Sequence, residues 1–341
     1  MTRHEQFQTL FLAEPAWRWR QIEGALFNPG LQCWNDISNL PQAMREALTA
    51  HIAWMSVTQD KLYASTDGTT RKALVKLSDG EKVETVLMKN RRGQWSVCVS
   101  AQVGCAMNCS FCATGRMGLR RDLTSDEISD QLRYWQYFLR DNNIPERISN
   151  LVMMGMGEPL ANYDNVKAAI KQWLSYTDIG ATHITVSTVG LLPQLTRVLQ
   201  DKDWPPVRLA ISLHSADEAL RKQIVPSTSG NYLEGLSQWV KTYFKTKSSN
   251  KRHITFEYIL LAGINDSPRH AKLLGDFVAK TGRIKVNLIP YNDIKTPELT
   301  RSQKADAFAL ILKKCGVTAT VRQSAGQDIM AACGQLAGEK N

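Results

Sequence analysis

Strand-like and helix-like segments alternate from about residue 97 to residue 314, and this alternation limits the possible folds more than any other feature. The candidate strands are short and apolar and lie at 97–100, 148–154, 183–187, 207–213, 253–260 and 285–290. The helical patterns lie at 124–140, 162–175, 191–200, 233–244, 268–280 and 300–314. Repeated β-then-α units predict parallel strands, because parallel neighbours require a crossover that is usually a helix. Six units favour a partial barrel, with its chemistry at the carboxyl ends of the strands.

The segments outside this alternation have a different character. The first part of the chain has short helical patterns interrupted by proline. The next part has strand patterns with turns at Asp67-Gly68 and Asp79-Gly80, which predict a small antiparallel sheet. The predicted division is a helical accessory domain over 1–55, a β-rich extension over 56–97, the core over 98–315 and a C-terminal segment over 316–341.

The charge balance indicates a polyanionic partner. The chain has 42 Lys and Arg residues against 32 Asp and Glu residues, a formal net charge of +10. The basic clusters are Lys89, Arg91 and Arg92, then Arg116, Arg120 and Arg121, then Lys245, Lys247, Lys251, Arg252 and His253. RNA or DNA fits this excess better than a membrane, because no basic amphipathic helix stands out. The N-terminus has no signal-peptide pattern and no apolar run reaches membrane-spanning length, so we expect a cytoplasmic protein.

Cys105, Cys109 and Cys112 form a C-x3-C-x2-C pattern directly after the first core strand. Thiolates are soft ligands that suit iron–sulfur clusters and zinc. Structural zinc takes four ligands, usually as two separated pairs, and no fourth Cys or His lies nearby. Three thiolates can instead hold three corners of a [4Fe–4S] cluster and leave the fourth iron open to another ligand. We therefore favour an iron–sulfur site with one open position.

A second motif, Gly155-Met156-Gly157-Glu158-Pro159, follows the second candidate strand. Together with the cysteine pattern and the aromatic Phe111 before its last cysteine, it resembles the radical S-adenosylmethionine (SAM) superfamily. The resemblance implies a [4Fe–4S] cluster whose open iron chelates the amino and carboxylate groups of SAM. It also implies that Gly157 and Glu158 hold the amino end of SAM. In that superfamily an electron from the cluster cleaves SAM to a 5′-deoxyadenosyl radical.

Further segments narrow the resemblance to the RlmN/Cfr-type rRNA adenine methyltransferases. They lie in order along the chain at 38–41, 83–86, 98–105, 211–214, 286–292 and 331–336. The fold implied is an α/β radical SAM protein with a partial (β/α)6 barrel, a helical N-terminal domain and a β extension. The site implied is Cys105, Cys109 and Cys112 for the cluster; Gly157, Glu158, Ser187, Ser212, Leu213, His214 and Asn292 for SAM; Cys333 as the methyl-accepting thiol; Cys98 as the second catalytic cysteine; and Glu84 as the proton acceptor. Two residues depart from the family pattern: Gln327, where we expect an acidic residue, and Met330.

The chemistry of adenine gives a separate reason for two thiols. Carbon 2 is electron-poor and cannot attack a sulfonium methyl group, whereas the thiolate of Cys333 can. A first SAM would methylate Cys333, and a second would supply the radical that removes a hydrogen atom from this methyl group. The methylene radical can then add to the ring. A base must remove the ring hydrogen and a thiol must help release Cys333. Cys98 and Glu84 are the candidates, and the sequence does not divide these two roles between them.

The predicted activity is methylation of an adenine at C2 in 23S rRNA, with tRNA as a second possible substrate. One alternative is the same chemistry at C8, as in the Cfr branch, which can confer antibiotic resistance; the motifs do not separate the two. The other alternative is a non-catalytic RNA-binding metalloprotein, which would need neither Glu158 nor Cys333. We also expect an electron donor such as a flavodoxin-type reductant, no membrane partner, and a monomeric enzyme.

Overall fold

The structure of the protein is a computed structural model that describes residues 1–90, 92–246, 253–282 and 284–338. Its helices are α1 (Arg3–Leu10), α2 (Ala16–Leu26), α3 (Gln42–His51), α4 (Ser125–Asp141), α5 (Tyr163–Tyr176), α6 (Leu192–Gln200), α7 (Glu218–Ile224), α8 (Tyr232–Thr246), α9 (Pro268–Thr281) and α10 (Ala305–Lys314). Its strands are β1 (Val57–Ala64), β2 (Thr70–Leu77), β3 (Lys82–Lys89), β4 (Trp95–Cys98), β5 (Gln102–Cys105), β6 (Gly118–Asp122), β7 (Ile148–Met153), β8 (Ile184–Thr188), β9 (Arg208–Ser212), β10 (Ile254–Leu260), β11 (Lys285–Pro290) and β12 (Ala319–Val321).

One sheet runs through the molecule in the order β1-β2-β3-β4-β7-β8-β9-β10-β11-β12. Every pair from β4 to β12 is parallel, and helices connect the consecutive strands. The order is linear in the described part of the chain, with β1 and β12 at its two ends, so the barrel stays open. The predicted α/β fold with a partial barrel is therefore confirmed.

The β extension is part of this sheet and does not form a separate one. Strands β1 to β4 pair antiparallel in sequence order, and β3 meets β4 through pairs such as Val86 with Cys98. Both faces of β2 and β3 are largely buried, as expected for strands in the interior of a sheet that is covered on both sides. One hydrophobic core contains buried residues from all four predicted domains, from Phe7 to Leu336, so burial does not separate them. The domain boundaries proposed from the sequence therefore stay predictions.

The N-terminal helices join the barrel through buried charges. Arg3 at the start of α1 pairs with Asp126 of α4 at 3.1 Å and also with Asp130 of α4. Arg133 of α4 pairs with Asp130 at 2.5 Å and donates to the carbonyl of Leu26 at 2.6 Å. Because each charge has a partner, the contact between the helices and the barrel can bury them.

The sequence patterns did not predict three short features of the structure: the hairpin of β5 and β6, helix α7, and strand β12. Each is too short for its periodicity to stand out. The helix expected over 300–314 begins at Ala305. Thr300 and Arg301 instead pair with another segment, since the carbonyl of Thr300 accepts from the N–H of Ala262 at 3.0 Å and Arg301 forms a β-bridge with Leu261.

No helix within the described ranges is long and apolar enough to cross a lipid bilayer.

Candidate active site

Two adjoining cavities open at the carboxyl ends of the parallel strands. We name the first the cluster cavity; of the predicted residues it is lined by Cys105, Cys109, Cys112, Gly157, Glu158, Ser187, Ser212, His214 and Cys333. We name the second the thiol cavity; of the predicted residues it is lined by Cys98, Asn292 and Cys333. Both are lined by Met154, Glu257, Ile289, Cys333 and Leu336. Cys333 therefore lies at the boundary between them, although it is distant in sequence from Cys98 and from Cys105, Cys109 and Cys112.

The cysteine triad begins with Cys105, which is the last residue of hairpin strand β5. Glycine is required at position 104, because its φ is +76° and an added Cβ would lie 1.8 Å from the carbonyl oxygen of Gly118. Burial raises the pKa of Cys105 to about 12 and that of Cys109 well above its ordinary value, and the neighbouring thiol of Cys112 adds to both shifts. The three thiols are thus close enough to interact electrostatically.

The arrangement of the triad fits a cluster better than a single ion. In the part of the chain that the structure describes, no group of three or more His, Cys, Asp or Glu side chains is arranged to hold one metal ion. A [4Fe–4S] cluster makes a different demand, because each thiolate binds a separate iron at its own corner. A cysteine binds a metal as its thiolate, so the bonds to iron would offset the cost of ionising these buried thiols.

Glu158 lies after β7 with its side chain buried. One carboxylate oxygen accepts from the backbone N–H of Leu160 at 2.9 Å, and the other accepts from that of Val189 at 2.8 Å. Burial raises the pKa of Glu158 despite these hydrogen bonds. An ammonium group beside it would favour the ionised form, so this carboxylate suits the amino end of SAM.

The segment that carries Glu158 is fastened to the loop after β4. An added Cβ on Gly155 would lie 2.6 Å from the carbonyl oxygen of Val99, and the φ of Gly157 is +96°. The backbone N–H of Glu158 donates to the Gln102 side chain at 2.7 Å. The sequence motifs did not single out Gln102, although it positions the Gly-Glu motif beside the cysteine loop.

His214 follows β9 with a φ of +58°. Its ring packs edge-on against Phe111, with centroids 4.6 Å apart. Its Nδ1 accepts from the backbone N–H of Ile259 at 3.1 Å. Burial, aided by the charge of Arg221, lowers the pKa of His214 to about 3. The imidazole is therefore neutral near pH 7 and carries its proton on Nε2, which makes that nitrogen a hydrogen-bond donor.

Arg221 on α7 is a buried residue that the sequence patterns missed. It donates to the carbonyls of Leu213 at 3.0 Å, Val189 at 2.7 Å and Ser212 at 3.2 Å. It thereby ties together the ends of β8 and β9, and its charge lowers the pKa of Cys109 against the larger effect of burial. No motif indicates this role, because its partners are backbone carbonyls, which every residue type carries. Leu213 itself lines neither cavity and contributes its backbone.

The loop that carries Cys333 is held against the barrel. The backbone carbonyl of Cys333 accepts from the Asn292 side chain at 3.0 Å, and the carbonyl of Gly334 accepts from the N–H of Ala113 at 2.7 Å. Gln327, one of the two departures from the family pattern, donates to the Asn292 side chain at 2.6 Å. The exposed surface of Cys333 faces the cavities, and desolvation there still raises the pKa of its thiol.

Cys98 ends β4 and is buried in the wall of the thiol cavity. Desolvation raises the pKa of its thiol, and the nearby Cys333 raises it further. The structure thus brings the two predicted catalytic thiols to one cavity.

Glu84 of β3 lines neither cavity. One of its carboxylate oxygens pairs with Lys72 of β2 at 2.8 Å. The other accepts from the backbone N–H groups of Ala337 at 2.8 Å and Gly338 at 3.2 Å. Lys72 also donates to the carbonyl of Met330 at 3.1 Å. The pair therefore contacts the chain on both sides of Cys333.

The fold and the cysteine-lined cavity define a radical SAM protein, and the family model of the radical SAM superfamily matches residues 99–274. The chain is 40% identical over 336 residues to the probable dual-specificity RNA methyltransferase RlmN of Listeria welshimeri, covering 96% of this chain and 88% of the relative. It is 39% identical to the proteins of the same name from Streptococcus suis (97% and 88% covered) and a Synechococcus strain (95% and 90% covered).

The structure is similar to the crystal structure of a radical SAM methyltransferase from Sphaerobacter thermophilus. The TM-score is 0.88 at 36% identity, covering 98% of this chain and 96% of that one. The chain belongs to the RlmN family of radical SAM RNA methyltransferases. The resemblance found in the sequence is thus confirmed, and with it a [4Fe–4S] cluster and SAM as the cofactors.

Proposed function

We propose that this protein methylates C2 of an adenine in 23S rRNA through an S-methylated Cys333, and that tRNA is a second substrate. One observation carries the proposal: Cys333 lies between a cavity lined by the cysteine triad and a cavity lined by Cys98. A thiol at this boundary can receive a methyl group on one side and present it to a base on the other. A simple RNA-binding protein would have no use for this arrangement.

When bound, the [4Fe–4S] cluster and SAM supply a methyl donor and a 5′-deoxyadenosyl radical. We assign Cys105, Cys109 and Cys112 to the cluster. We assign Glu158 and Gly157 to the amino end of SAM. The remaining SAM contacts that we propose are Ser187, Ser212, Leu213, His214 and Asn292.

Cys333 would act first as a thiolate nucleophile and then as the covalent link to the base. Cys98 faces the same cavity, so we assign to it the release of Cys333. Glu84 stays the candidate proton acceptor, and its carboxylate would have to exchange its contacts with Lys72 and the C-terminal backbone for the substrate. A flavodoxin-type reductant is the proposed electron donor, and the proposed form is a cytoplasmic monomer.

Methylation of defined RNA tests this proposal. The protein is reconstituted anaerobically with iron and sulfide and incubated with unmodified 23S rRNA fragments or tRNA, SAM and a reductant. Mass spectrometry of RNA digests then locates the methyl group. We expect C2-methyladenosine. Detection of C8-methyladenosine would instead support the alternative activity at C8 of adenine.

Cys333→Ala should abolish methylation while the visible absorption of the cluster is retained. Cys33→Ala, which removes a free exposed thiol outside both cavities, is the matched control and should retain activity. Methylation by the Cys333→Ala variant would disprove the covalent mechanism.

A further inference from the structure

Glu257 is a buried carboxylate that none of the roles above uses. It lies within β10, its side chain is 3% exposed, and it lines both cavities. Its Oε1 accepts from the Asn287 amide at 2.8 Å and from the Thr255 hydroxyl at 2.9 Å. Its Oε2 is buried and has no hydrogen-bond partner within the described residues. The nearest cationic group to Oε2 is Arg322, whose Nε lies 3.9 Å away, beyond hydrogen-bond distance.

A buried carboxylate oxygen without a donor is costly, so such an atom in a cavity wall indicates a ligand that supplies one. The contacts on Oε1 fix the orientation of the carboxylate and leave Oε2 available. An ionised carboxylate is acceptor-only, so it selects for N–H or O–H groups and against carbonyl oxygens. The wall of the cavity is therefore prepared for a hydrogen-bond donor.

The position of Glu257 indicates which ligand supplies this donor. Glu257 shares the thiol cavity with both Cys98 and Cys333, and its charge is close enough to raise the pKa of Cys333. A base that reacts with Cys333 while it is in reach of Cys98 must occupy this same cavity. Apolar side chains of Met154, Ile289 and Leu336 line the cavity beside it and suit the faces of a flat ring.

We propose that Glu257 Oε2 accepts a hydrogen bond from the exocyclic amino group of the target adenine, and that this contact selects adenine over other purines. The inference rests on the proposed function. Adenine presents an amino group at position 6, whereas hypoxanthine and guanine present a carbonyl oxygen there, which a carboxylate repels. Glu257 is thus a specificity-determining residue for the base.

The test combines one change in the enzyme with one change in the RNA. RNA hairpins carry adenosine, purine riboside (which lacks the amino group) or inosine at the target position. The wild-type enzyme should lose about tenfold or more in both equilibrium affinity and kcat/KM when the amino group is absent, the usual size for a hydrogen bond to a charged group. Glu257→Gln should lose a similar factor on adenosine and discriminate little between adenosine and purine riboside, because both changes remove the same contact.

Inosine provides the opposite test, because the glutamine amide can donate to its carbonyl oxygen. Glu257→Gln should therefore favour inosine relative to the wild-type enzyme. Thr255→Val is the matched control: it removes one partner of Oε1 and should retain discrimination against purine riboside. Cluster absorption and thermal unfolding establish that each variant is folded and loaded.

Two results would overturn the inference. The first is equal binding of adenosine and purine riboside hairpins by the wild-type enzyme, a comparison that needs no variant. The second is a Glu257→Gln variant that binds SAM more weakly without RNA but keeps its discrimination between the two bases, which would assign Oε2 to the ribose hydroxyls of SAM. A wild-type enzyme that methylates none of the hairpins, or methylates them at a position other than C2, counts against the proposed function, whereas the binding comparison still tests Glu257.

Discussion

Single residues in this site owe their protonation states to burial. Desolvation raises the pKa of the Cys98 and Cys333 thiols and lowers that of His214 to about 3. His214 is therefore a fixed neutral donor across the physiological range, whereas Cys333 must lose a proton before it can accept a methyl group. Arg322 opposes the shift of Cys333, since its positive charge lowers the pKa of the thiol.

Removal of the Arg322 charge should change the pH dependence of Cys333 methylation. Because the folded pKa of Cys333 lies above its ordinary value of about 8.5, the thiolate fraction and the methylation rate should rise with pH through the neutral and alkaline range. Arg322→Gln should move this rise to higher pH and slow methylation near pH 7.5 by roughly two- to fivefold, a modest effect because the Arg322 side chain is 45% exposed. Incorporation of labelled methyl groups into the protein measures it.

Arg20→Gln, a change at an exposed position of α2, is the control and should leave the profile unchanged. An unshifted profile in Arg322→Gln would show that the guanidinium does not assist ionisation of Cys333.

At the scale of elements, strands β2 and β3 act on the C-terminal segment. Lys72 and Glu84 form a buried pair whose side chains are 8% and 7% exposed. Together they contact the backbone at Met330, Ala337 and Gly338. The β extension therefore helps to position the loop that carries Cys333, in addition to extending the sheet.

Glu84→Ala should loosen this loop. The change removes a buried ion pair and the acceptor for two backbone N–H groups, so we expect a loss of about 2 to 4 kcal/mol in the free energy of unfolding. Hydrogen exchange at Ala337 and Gly338 should accelerate. Asp60→Ala removes the partly exposed pair with Lys82 at 2.8 Å in the same sheet, and should cost less than about 1 kcal/mol. Unchanged exchange at these two amides would rule out the positioning role.

The contact between α1 and α4 gives a pH-dependent stability. Burial alone would raise the pKa of Asp130, but the charges of Arg133 and Arg3 lower it overall. A lowered folded pKa stabilises the fold above the unfolded value of about 3.9, and this stability is lost as the pH falls through the folded pKa.

Asp130→Asn should therefore destabilise the protein by about 3 to 5 kcal/mol near pH 7, because it removes the buried carboxylate with which both Arg133 and Arg3 pair, and Arg3 keeps only Asp126. The difference from the wild-type protein should shrink below about pH 4. Urea unfolding at pH 7, 5 and 3.5 measures it, with Glu14→Gln at a more exposed ion pair as the control. A difference that stays constant over this range would contradict the assignment.

At the scale of the whole molecule, the basic excess is unevenly available to RNA. Arg120 pairs with Glu81 at 2.8 Å and Arg121 pairs with Asp79 at 2.6 Å, so part of the second basic cluster is neutralised. Arg91, Lys247, Lys251 and Arg252 lie outside the described residues. Lys89 also has a partner, since its Nζ pairs with the partly exposed Glu146 at 2.5 Å. It lines the thiol cavity, however, so it is the basic residue of the first cluster best placed to exchange this carboxylate for a phosphate of the bound RNA.

RNA affinity should fall steeply with salt, since phosphate contacts release counterions. Lys89→Gln should weaken binding at low salt and make the slope of log Kd against log salt shallower by about one unit. Lys171→Gln, on α5 and outside both cavities, should leave the slope unchanged. Filter binding over a range of salt concentrations distinguishes the two, and equal slopes for Lys89→Gln and the wild-type protein would exclude a phosphate contact.

The sequence by itself determined the repeating fold and the chemistry of its local motifs. Parallel strands follow from the βα alternation, and the cysteine triad and Gly157-Glu158 carry their meaning in a few adjacent residues. Contacts between distant segments were decided only in three dimensions. Arg221 donates to the carbonyl of Val189, and Glu84 accepts from the backbone of Ala337 and Gly338; these groups are far away in sequence, and no motif records the contacts. The sequence also cannot show that Oε2 of Glu257 lacks a hydrogen-bond partner in the described residues, because the partners of a buried polar atom depend on every segment packed around it.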